Sequence, residues 1–285
     1  MKIFVFAISI LILISATYSQ SPWIQPVNNL YSQISVNVIP EYDIIYLRDG
    51  MERHLPRKLS DITVQAWFEY GFLPATTAIF SLPYKILKAG DAARELNSPP
   101  VTKSGSFSAP GTIEFGVRHS LLTRRVIVSG QVLFELKTSQ YDMSTGLRSG
   151  YDAWGIAPLL SLGYSKEDFY TFVYSGTGFR SNNYSSFFRG GFESGYKIIG
   201  QLWIAGFIDI VHSFRNGSYT PSVTNFSTVF YIDEQEYVAW GIKAIISLAQ
   251  NNYGIVATLA GAATGNNVAK SPSINLGFFY KFNSF

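Results

Sequence analysis

The chain has 285 residues, of which 47% are hydrophobic and 16% aromatic, whereas only 14% are charged. Soluble domains usually carry about 25% charged residues, so this composition disfavours a water-soluble globule. The net charge of +3 is small and the two signs are interspersed, as in residues 48–61, which excludes the basic surface typical of nucleic-acid-binding proteins.

The N-terminal stretch MKIFVFAISILILISATYSQ has one Lys, an apolar run and then small residues, the order of a secretory signal peptide. The apolar run of roughly 12 residues is shorter than the roughly 20 of a membrane-spanning helix. We expect cleavage after Ser19, with cleavage after Ala16 as the alternative. Residues 20–285 would then form one domain, because no Pro/Gly/Ser-rich linker divides them. The chain has no Cys, which excludes a disulfide framework.

Period-two alternation of polar and apolar residues recurs along the rest of the chain and predicts strands. No run of 18 apolar residues follows residue 19, so a helical membrane span is excluded. The twelve predicted strands are residues 32–47, 62–72, 76–88, 111–121, 124–137, 153–164, 168–180, 185–198, 201–214, 236–249, 252–264 and 272–282. Most are longer than the usual 5–6 residues of soluble strands and suit a tilted bilayer crossing of about 9–11 residues.

The connections differ in length at the two ends of the predicted strands. Those after the even-numbered strands are tight, whereas those after the odd-numbered strands are longer and polar. Outer-membrane barrels have this asymmetry, with the short turns facing the periplasm. An even strand number also places both termini on the short-turn side.

The two faces of each strand support the same fold. In residues 124–137, Val128, Val132 and Phe134 share one face, while charged residues such as Glu135 take the other. Aromatic rings, which favour the headgroup level, lie near predicted strand ends at Tyr42, Phe72, Tyr84, Trp154, Tyr164, Tyr170, Tyr237, Trp240 and Tyr253. We predict an all-β fold, a transmembrane antiparallel up-and-down β-barrel of about 12 strands in the bacterial outer membrane. A secreted β-sandwich is the alternative.

The apolar face of a barrel meets lipid, so its charged residues and some aromatic residues point into the lumen. The predicted lumen-lining residues are Glu69, Lys85, Glu114, Arg118, Arg125, Glu135, Lys137, Arg189, Glu193, Lys197, Asp209, Lys243, Trp67 and Trp203. These side chains either fill the barrel as ion pairs or form a constriction that selects a solute.

The sequence offers no enzymatic or metal-binding constellation. His54, His119 and His212 lack a partner at ligand spacing. The two His-Ser pairs are adjacent in sequence, which sends their side chains to opposite faces of a strand. We therefore expect neither an enzyme nor a cofactor.

The C-terminal strand alternates up to Phe282, and Phe285 is out of phase with it. Outer-membrane proteins commonly end on an aromatic residue that the assembly machinery reads. Either Phe could serve as that signal.

A family resemblance covers residues 23–84. The features that carry it are Trp23, Tyr31, the EYG triplet at 69–71 and LPY at 82–84. They resemble Gram-negative outer-membrane proteins labelled as transporters of the phenol meta-degradation pathway type, with XagA-like relatives in Bacteroidetes. Where those proteins have EYGLTDRLT this chain has EYGFLPATT, so an apolar turn replaces a polar one. The resemblance implies a barrel that passes small, hydrophobic molecules.

These observations favour an outer-membrane channel or transporter that passively passes a small hydrophobic or aromatic solute. The alternative is a non-transporting structural or assembly-partner barrel, with a charge-plugged lumen and protein-binding loops at 89–110 and 215–235. Expected partners are outer-membrane lipid, the outer-membrane assembly machinery and the small-molecule solute.

Overall fold

The computed structural model describes residues 20–92, 101–248 and 252–283. The predicted signal peptide and Phe285 lie outside the described residues. Twelve long strands form an antiparallel sheet that closes on itself, because the first strand pairs with both the second and the last. This closed barrel confirms the predicted fold class.

The barrel strands overlap all twelve predicted ones. They are β1 (Leu30–Tyr46), β2 (Glu52–Leu73), β3 (Thr76–Ala92), β4 (Ile113–Thr123), β5 (Ile127–Leu136), β6 (Gly155–Lys166), β7 (Phe169–Arg180), β8 (Phe187–Ile199), β9 (Leu202–Ser213), β10 (Glu236–Leu248), β11 (Tyr253–Asn266) and β12 (Ser273–Phe282). The shorter elements are strands Gly105–Pro110, Tyr141–Asp142, Leu147–Arg148 and Val268–Ala269, the 3-10 turn Arg48–Gly50 and helix α1 (Val223–Thr228). No helix in the described part of the chain is long and apolar enough to cross a membrane.

The barrel has the inverted polarity predicted from the alternation. Large apolar side chains are exposed on its outer face, for example Ile34, Leu82 and Leu276. Polar side chains on the opposite phase, such as Gln65 and Ser161, are buried inside. A barrel whose apolar residues face outward requires lipid around it.

The strands β1 to β3 rise beyond the rest of the barrel at the long-loop end. β2 has 22 residues, well beyond the roughly 9–11 that a bilayer crossing needs. Two predicted connections are therefore shorter than expected. Residues 52–61 belong to β2, and part of the predicted loop 89–110 is strand, because β3 continues to Ala92 and Gly105–Pro110 pairs along it.

The longest loop folds back over the long-loop end. Phe230 and Ile232 of this loop are buried in a cluster with Tyr42, Leu59 and Leu87 on the inner faces of β1 to β3. This apolar cluster lies at the opposite end from the tight turns. It explains why β1 to β3 are so long, since their upper parts form a wall against which the loop packs. We call residues 229–235 the cap.

The lipid face can be tested at Phe134, whose ring stacks on Phe115 of β4 at 5.1 Å between centroids. We expect Phe134→Lys to lower the free energy of unfolding in lipid vesicles, by up to the roughly 2–4 kcal/mol that a lysine costs at the bilayer midplane, because it places a charge in hydrocarbon. Urea titration followed by heat-modifiable gel mobility measures this. The control is Val223→Lys, an equally apolar-to-charged change at a position that is 69% exposed on α1. Equal effects of the two changes would show that the barrel faces are misassigned.

Candidate functional site in the barrel lumen

The N-terminal residues 20–25, here called the lumenal segment, lie inside the barrel at its short-turn end. The side chain of Ser161 donates to the carbonyl of Gln20 at 3.1 Å, and Arg118 donates to the carbonyl of Trp23 at 2.8 Å. The backbone N–H of Gln25 donates to Oγ1 of Thr77 at 2.7 Å. Barrel side chains thus replace the strand partners that this extended stretch lacks.

Two glycines leave room for the chain next to the wall. A Cβ on Gly163 of β6 would lie 2.3 Å from Cγ of Pro22, and one on Gly71 of β2 would lie 2.0 Å from the carbonyl oxygen of Pro26. Both separations are far below van der Waals contact. The absence of a side chain at these positions lets the segment lie directly against the wall.

A buried ion pair holds the segment in place. Nη1 of Arg118 is 3.2 Å from Oε1 of Glu69, and the Arg118 side chain is 1% exposed. Arg118 also bonds to Gln131 at 2.8 Å, and the other oxygen of Glu69 accepts from Gln25 at 2.9 Å. Buried charges are tolerated only when they are paired and hydrogen-bonded in this way.

The other side of the short-turn end is open and forms an inner chamber of about 440 Å³. Its walls are largely aromatic, and the rings that surround it include Trp23, Tyr31, Trp67, Tyr170, Trp203 and Phe207. Many of these rings touch, such as Trp23 and Tyr170, whose centroids are 5.8 Å apart in an edge-to-face arrangement. Between the rings the wall also carries polar side chains, such as Gln33, Gln65 and Asn275.

Most charged groups of the inner chamber are engaged with a neighbouring polar side chain. Nζ of Lys243 is 2.5 Å from Oε2 of Glu193, whose other oxygen accepts from the hydroxyl of Tyr170 at 2.7 Å. Asp209 accepts from the hydroxyl of Tyr174. The second lysine of the chamber, Lys281, has its Nζ 5.6 Å from the ring centroid of Phe279.

An outer chamber of about 330 Å³ lies beneath the cap at the long-loop end. Two ion pairs stand in its wall. Lys85 is 2.8 Å from Asp61, and Arg180 makes two hydrogen bonds to Glu135 at 2.7 and 3.0 Å. The outer chamber therefore has paired charges in its wall, as the inner one does.

Aromatic residues of the loops close the outer chamber. The guanidinium of Arg180 lies 3.5 Å from the ring centroid of Tyr151, and Tyr151 meets Tyr231 edge-to-face. Burial raises the pKa of Tyr151 to about 12, so its hydroxyl stays protonated at neutral pH and donates to Oε1 of Gln235 at 2.7 Å. This bond ties the cap to the neighbouring loop.

Eleven of the fourteen predicted residues lie inside the barrel. Those that line the inner chamber are Trp67, Glu69, Glu193, Trp203, Asp209 and Lys243. Those that line the outer chamber are Lys85, Glu114, Glu135 and Arg189. Arg118 is fully buried beneath the lumenal segment. That any of them selects a solute stays a prediction.

The remaining three predictions, Arg125, Lys137 and Lys197, are wrong about location. Arg125 is exposed in the turn before β5, where strand alternation no longer applies. Lys137 follows the last residue of β5 and is 2.7 Å from Asp152. Lys197 is near the end of β8, 3.4 Å from Asp168 of the adjacent turn. Each lies at a barrel rim, where partners outside the lumen are within reach.

Sequence reasoning also misplaced or missed several lumenal groups. Tyr42, Tyr170 and Tyr237 were expected at the headgroup level but line the chambers instead. Arg180 was missed, although it shares the inward phase of Tyr174 on the same strand. The lumenal segment was missed because it has no periodicity that would place it.

Comparisons with solved structures identify the fold. The COG4313 outer membrane channel from Pseudomonas putida F1 superposes with a TM-score of 0.71 at 14% identity, covering 94% of this chain and 100% of that one. The translocator domain of the autotransporter NalP from Neisseria meningitidis gives 0.53 at 11% identity over 90% of both chains. The NanC porin gives 0.51 at 8% identity over 89% of this chain and 100% of its own. No family model matches the sequence, and no curated protein matches it.

The fold is that of Gram-negative outer-membrane proteins. The short-turn end is accordingly periplasmic and the long-loop end extracellular. The inner chamber and the lumenal segment lie on the periplasmic side, and the cap covers the extracellular side.

The position of the lumenal segment against Gly163 can be tested with Gly163→Ala. The new methyl group collides with Pro22, and overpacking of this kind costs about 1–3 kcal/mol. In a Ser21→Cys background, which carries the protein's only thiol, we expect labelling by a thiol reagent to accelerate about 5- to 100-fold.

The matched control is Gly206→Ala in β9, where the nearest atom to the new Cβ is 4.0 Å away. Its labelling rate should equal that of the parent. If Gly163→Ala also leaves the labelling rate unchanged, residues 20–25 do not lie against Gly163.

Proposed function

We propose that the protein is a passive outer-membrane channel for a small solute with an apolar or aromatic body. The observation that carries this proposal is the pair of chambers inside one barrel, of about 330 and 440 Å³. A barrel of eight strands is filled by side chains, whereas 16–18 strands leave a wide aqueous channel. Twelve strands provide enough space for a solute that moves with most of its water removed.

The lining of the inner chamber indicates which solute would pass. Aromatic rings such as Trp67, Tyr170 and Trp203 attract other rings in stacked or edge-to-face geometry. Its cation Lys243 is already paired with Glu193, and its other cation, Lys281, lies over the ring of Phe279, so the chamber offers little to a hydrated cation. An aromatic solute fits this surface, and the likeness of residues 23–84 to transporters of the phenol meta-degradation type agrees with that choice.

The path runs from the outer chamber to the inner one. Arg189 of the outer chamber lies within electrostatic range of Tyr174 and Asp209, which line the inner one. The chambers are therefore adjacent at this level. The lumenal segment then narrows the periplasmic exit to one side of the barrel.

The competing proposal is a non-transporting barrel that serves as a structural or assembly partner. The hydrogen bonds of the lumenal segment and the packing of the cap favour it, because each of these elements obstructs one end of the lumen. The cap packs inward, with Phe230 and Ile232 buried, which leaves less of loop 215–235 available to bind another protein. Conductance separates the two proposals.

Removal of the lumenal segment should increase the ionic current through the barrel. We expect a protein refolded without residues 20–25 to show a larger single-channel conductance in planar bilayers than the protein that retains them. The reason is that the segment occupies cross-section beside the inner chamber. A folded variant that remains silent would instead support the non-transporting barrel.

The aromatic wall can be tested with toluene as the blocking solute. We expect Trp203→Ala to shorten the current interruptions about 2- to 10-fold, since an aromatic pair contributes about 0.5–1.5 kcal/mol. Trp154→Ala is the matched control, because Trp154 is 58% exposed and lines neither chamber. Interruptions of unchanged length in Trp203→Ala would argue against solute contact with this wall.

A further inference from the structure

Glu114 stands out among the charged residues of the outer chamber. It projects inward from β4 and lines the chamber. Its Oε2 atom is buried, and no group among residues 20–92, 101–248 and 252–283 forms a hydrogen bond with it. A buried acceptor without a donor is energetically unfavourable by about 1–3 kcal/mol. The carboxylate of Glu114, whose side chain is only partly buried, is therefore suited to a ligand that brings a donor.

The neighbouring carboxylates differ from Glu114 in this respect. Glu135 lies directly opposite Glu114 in the register of β4 and β5, yet both its oxygens are bonded to Arg180. Asp61 is bonded to Lys85 and to Thr63. The chamber thus satisfies its other two acids with its own side chains and leaves Oε2 of Glu114 without a donor, although the Glu114 side chain lines the chamber.

The charge balance of the outer chamber indicates a neutral ligand. Its three acids, Asp61, Glu114 and Glu135, are matched by three bases, Lys85, Arg180 and Arg189. A cationic or anionic ligand would leave an uncompensated charge in a buried space, which is strongly unfavourable. A neutral hydroxyl or N–H group can donate to Glu114 without disturbing this balance.

The rest of the chamber wall suits an apolar or aromatic body. Rings of Phe187, Phe230, Tyr231 and Tyr237 line it, and the volume of about 330 Å³ accommodates a single substituted ring. Binding sites of this kind combine an apolar wall with few polar groups that fix orientation. Glu114 provides such a polar group here.

We propose that the outer chamber is a binding site for a neutral small molecule that donates one hydroxyl or N–H hydrogen bond to the Glu114 carboxylate. The molecule's apolar body lies against the aromatic rings beneath the cap. This inference rests on the proposed channel function, in that the bound molecule is the solute on its way to the inner chamber. The outer chamber would recognise a polar group of the solute, and the aromatic rings of the inner chamber would then contact its apolar body.

The first test uses ligands that differ in a single feature on the unaltered protein. Benzyl alcohol carries a neutral donor, benzyl methyl ether has the same framework without a donor, and benzylammonium and benzoate add a charge of either sign. Saturation-transfer NMR on the refolded protein in detergent gives their affinities. We expect benzyl alcohol to bind about tenfold or more tightly than the other three, as a hydrogen bond to a charged acceptor implies.

The second test changes the acceptor. We expect Glu114→Leu to weaken benzyl alcohol about tenfold or more and to leave benzyl methyl ether unchanged. Glu41→Leu is the matched control, because the Glu41 side chain is 55% exposed and lies outside the chambers. The heat-modifiable mobility of each variant shows whether the barrel has folded, and the ligand series on the unaltered protein stands without any variant.

The outcomes separate this inference from the channel proposal. Equal affinities for benzyl alcohol and its methyl ether, or tighter binding of benzylammonium or benzoate, would overturn the Glu114 site. A protein that conducts but does not prefer the ligand with a donor would support the channel proposal and contradict the Glu114 site. A protein that binds benzyl alcohol through Glu114 but never conducts would support the Glu114 site and contradict the channel proposal.

Discussion

The structure depends on one constraint, which is that no backbone N–H or C=O group can remain unpaired in hydrocarbon. Closure satisfies it, because β1 pairs with β12 as well as with β2 and leaves no edge. Closure in a membrane also determines which types of side chain face outward and which face the lumen. Since the outer face must be apolar, period-two alternation places most polar residues of the membrane-spanning strands inside.

The inverted interior creates a problem that soluble proteins rarely face, because many charged groups must share a narrow space. The barrel solves it by pairing, as in Glu69 with Arg118 and Glu135 with Arg180. Breaking such a buried pair typically costs about 3–5 kcal/mol, since one charge is left uncompensated. These pairs therefore hold the wall in register while the aromatic rings define the free space.

The two ends of the lumen are covered by different means. At the periplasmic end, polar wall residues hold the lumenal segment through its backbone, as Ser161 and Arg118 do. At the extracellular end, the cap is held mainly by apolar packing against the long strands β1 to β3. Hydrogen bonds to a backbone leave the adjacent aromatic rings free to line a chamber, and apolar packing at the cap leaves charged side chains of the outer chamber to pair with one another.

The sequence by itself determined the barrel, its strand number and most of its inward residues, because alternation with period two is a local property that each strand displays alone. Arg125 and Lys137 were misplaced where the strands end and alternation stops. Only the tertiary structure decided which charges meet, that residues 20–25 enter the lumen and that Glu114 keeps an unbonded oxygen. These features join residues far apart in the chain, and their contacts follow from barrel closure and not from any local pattern.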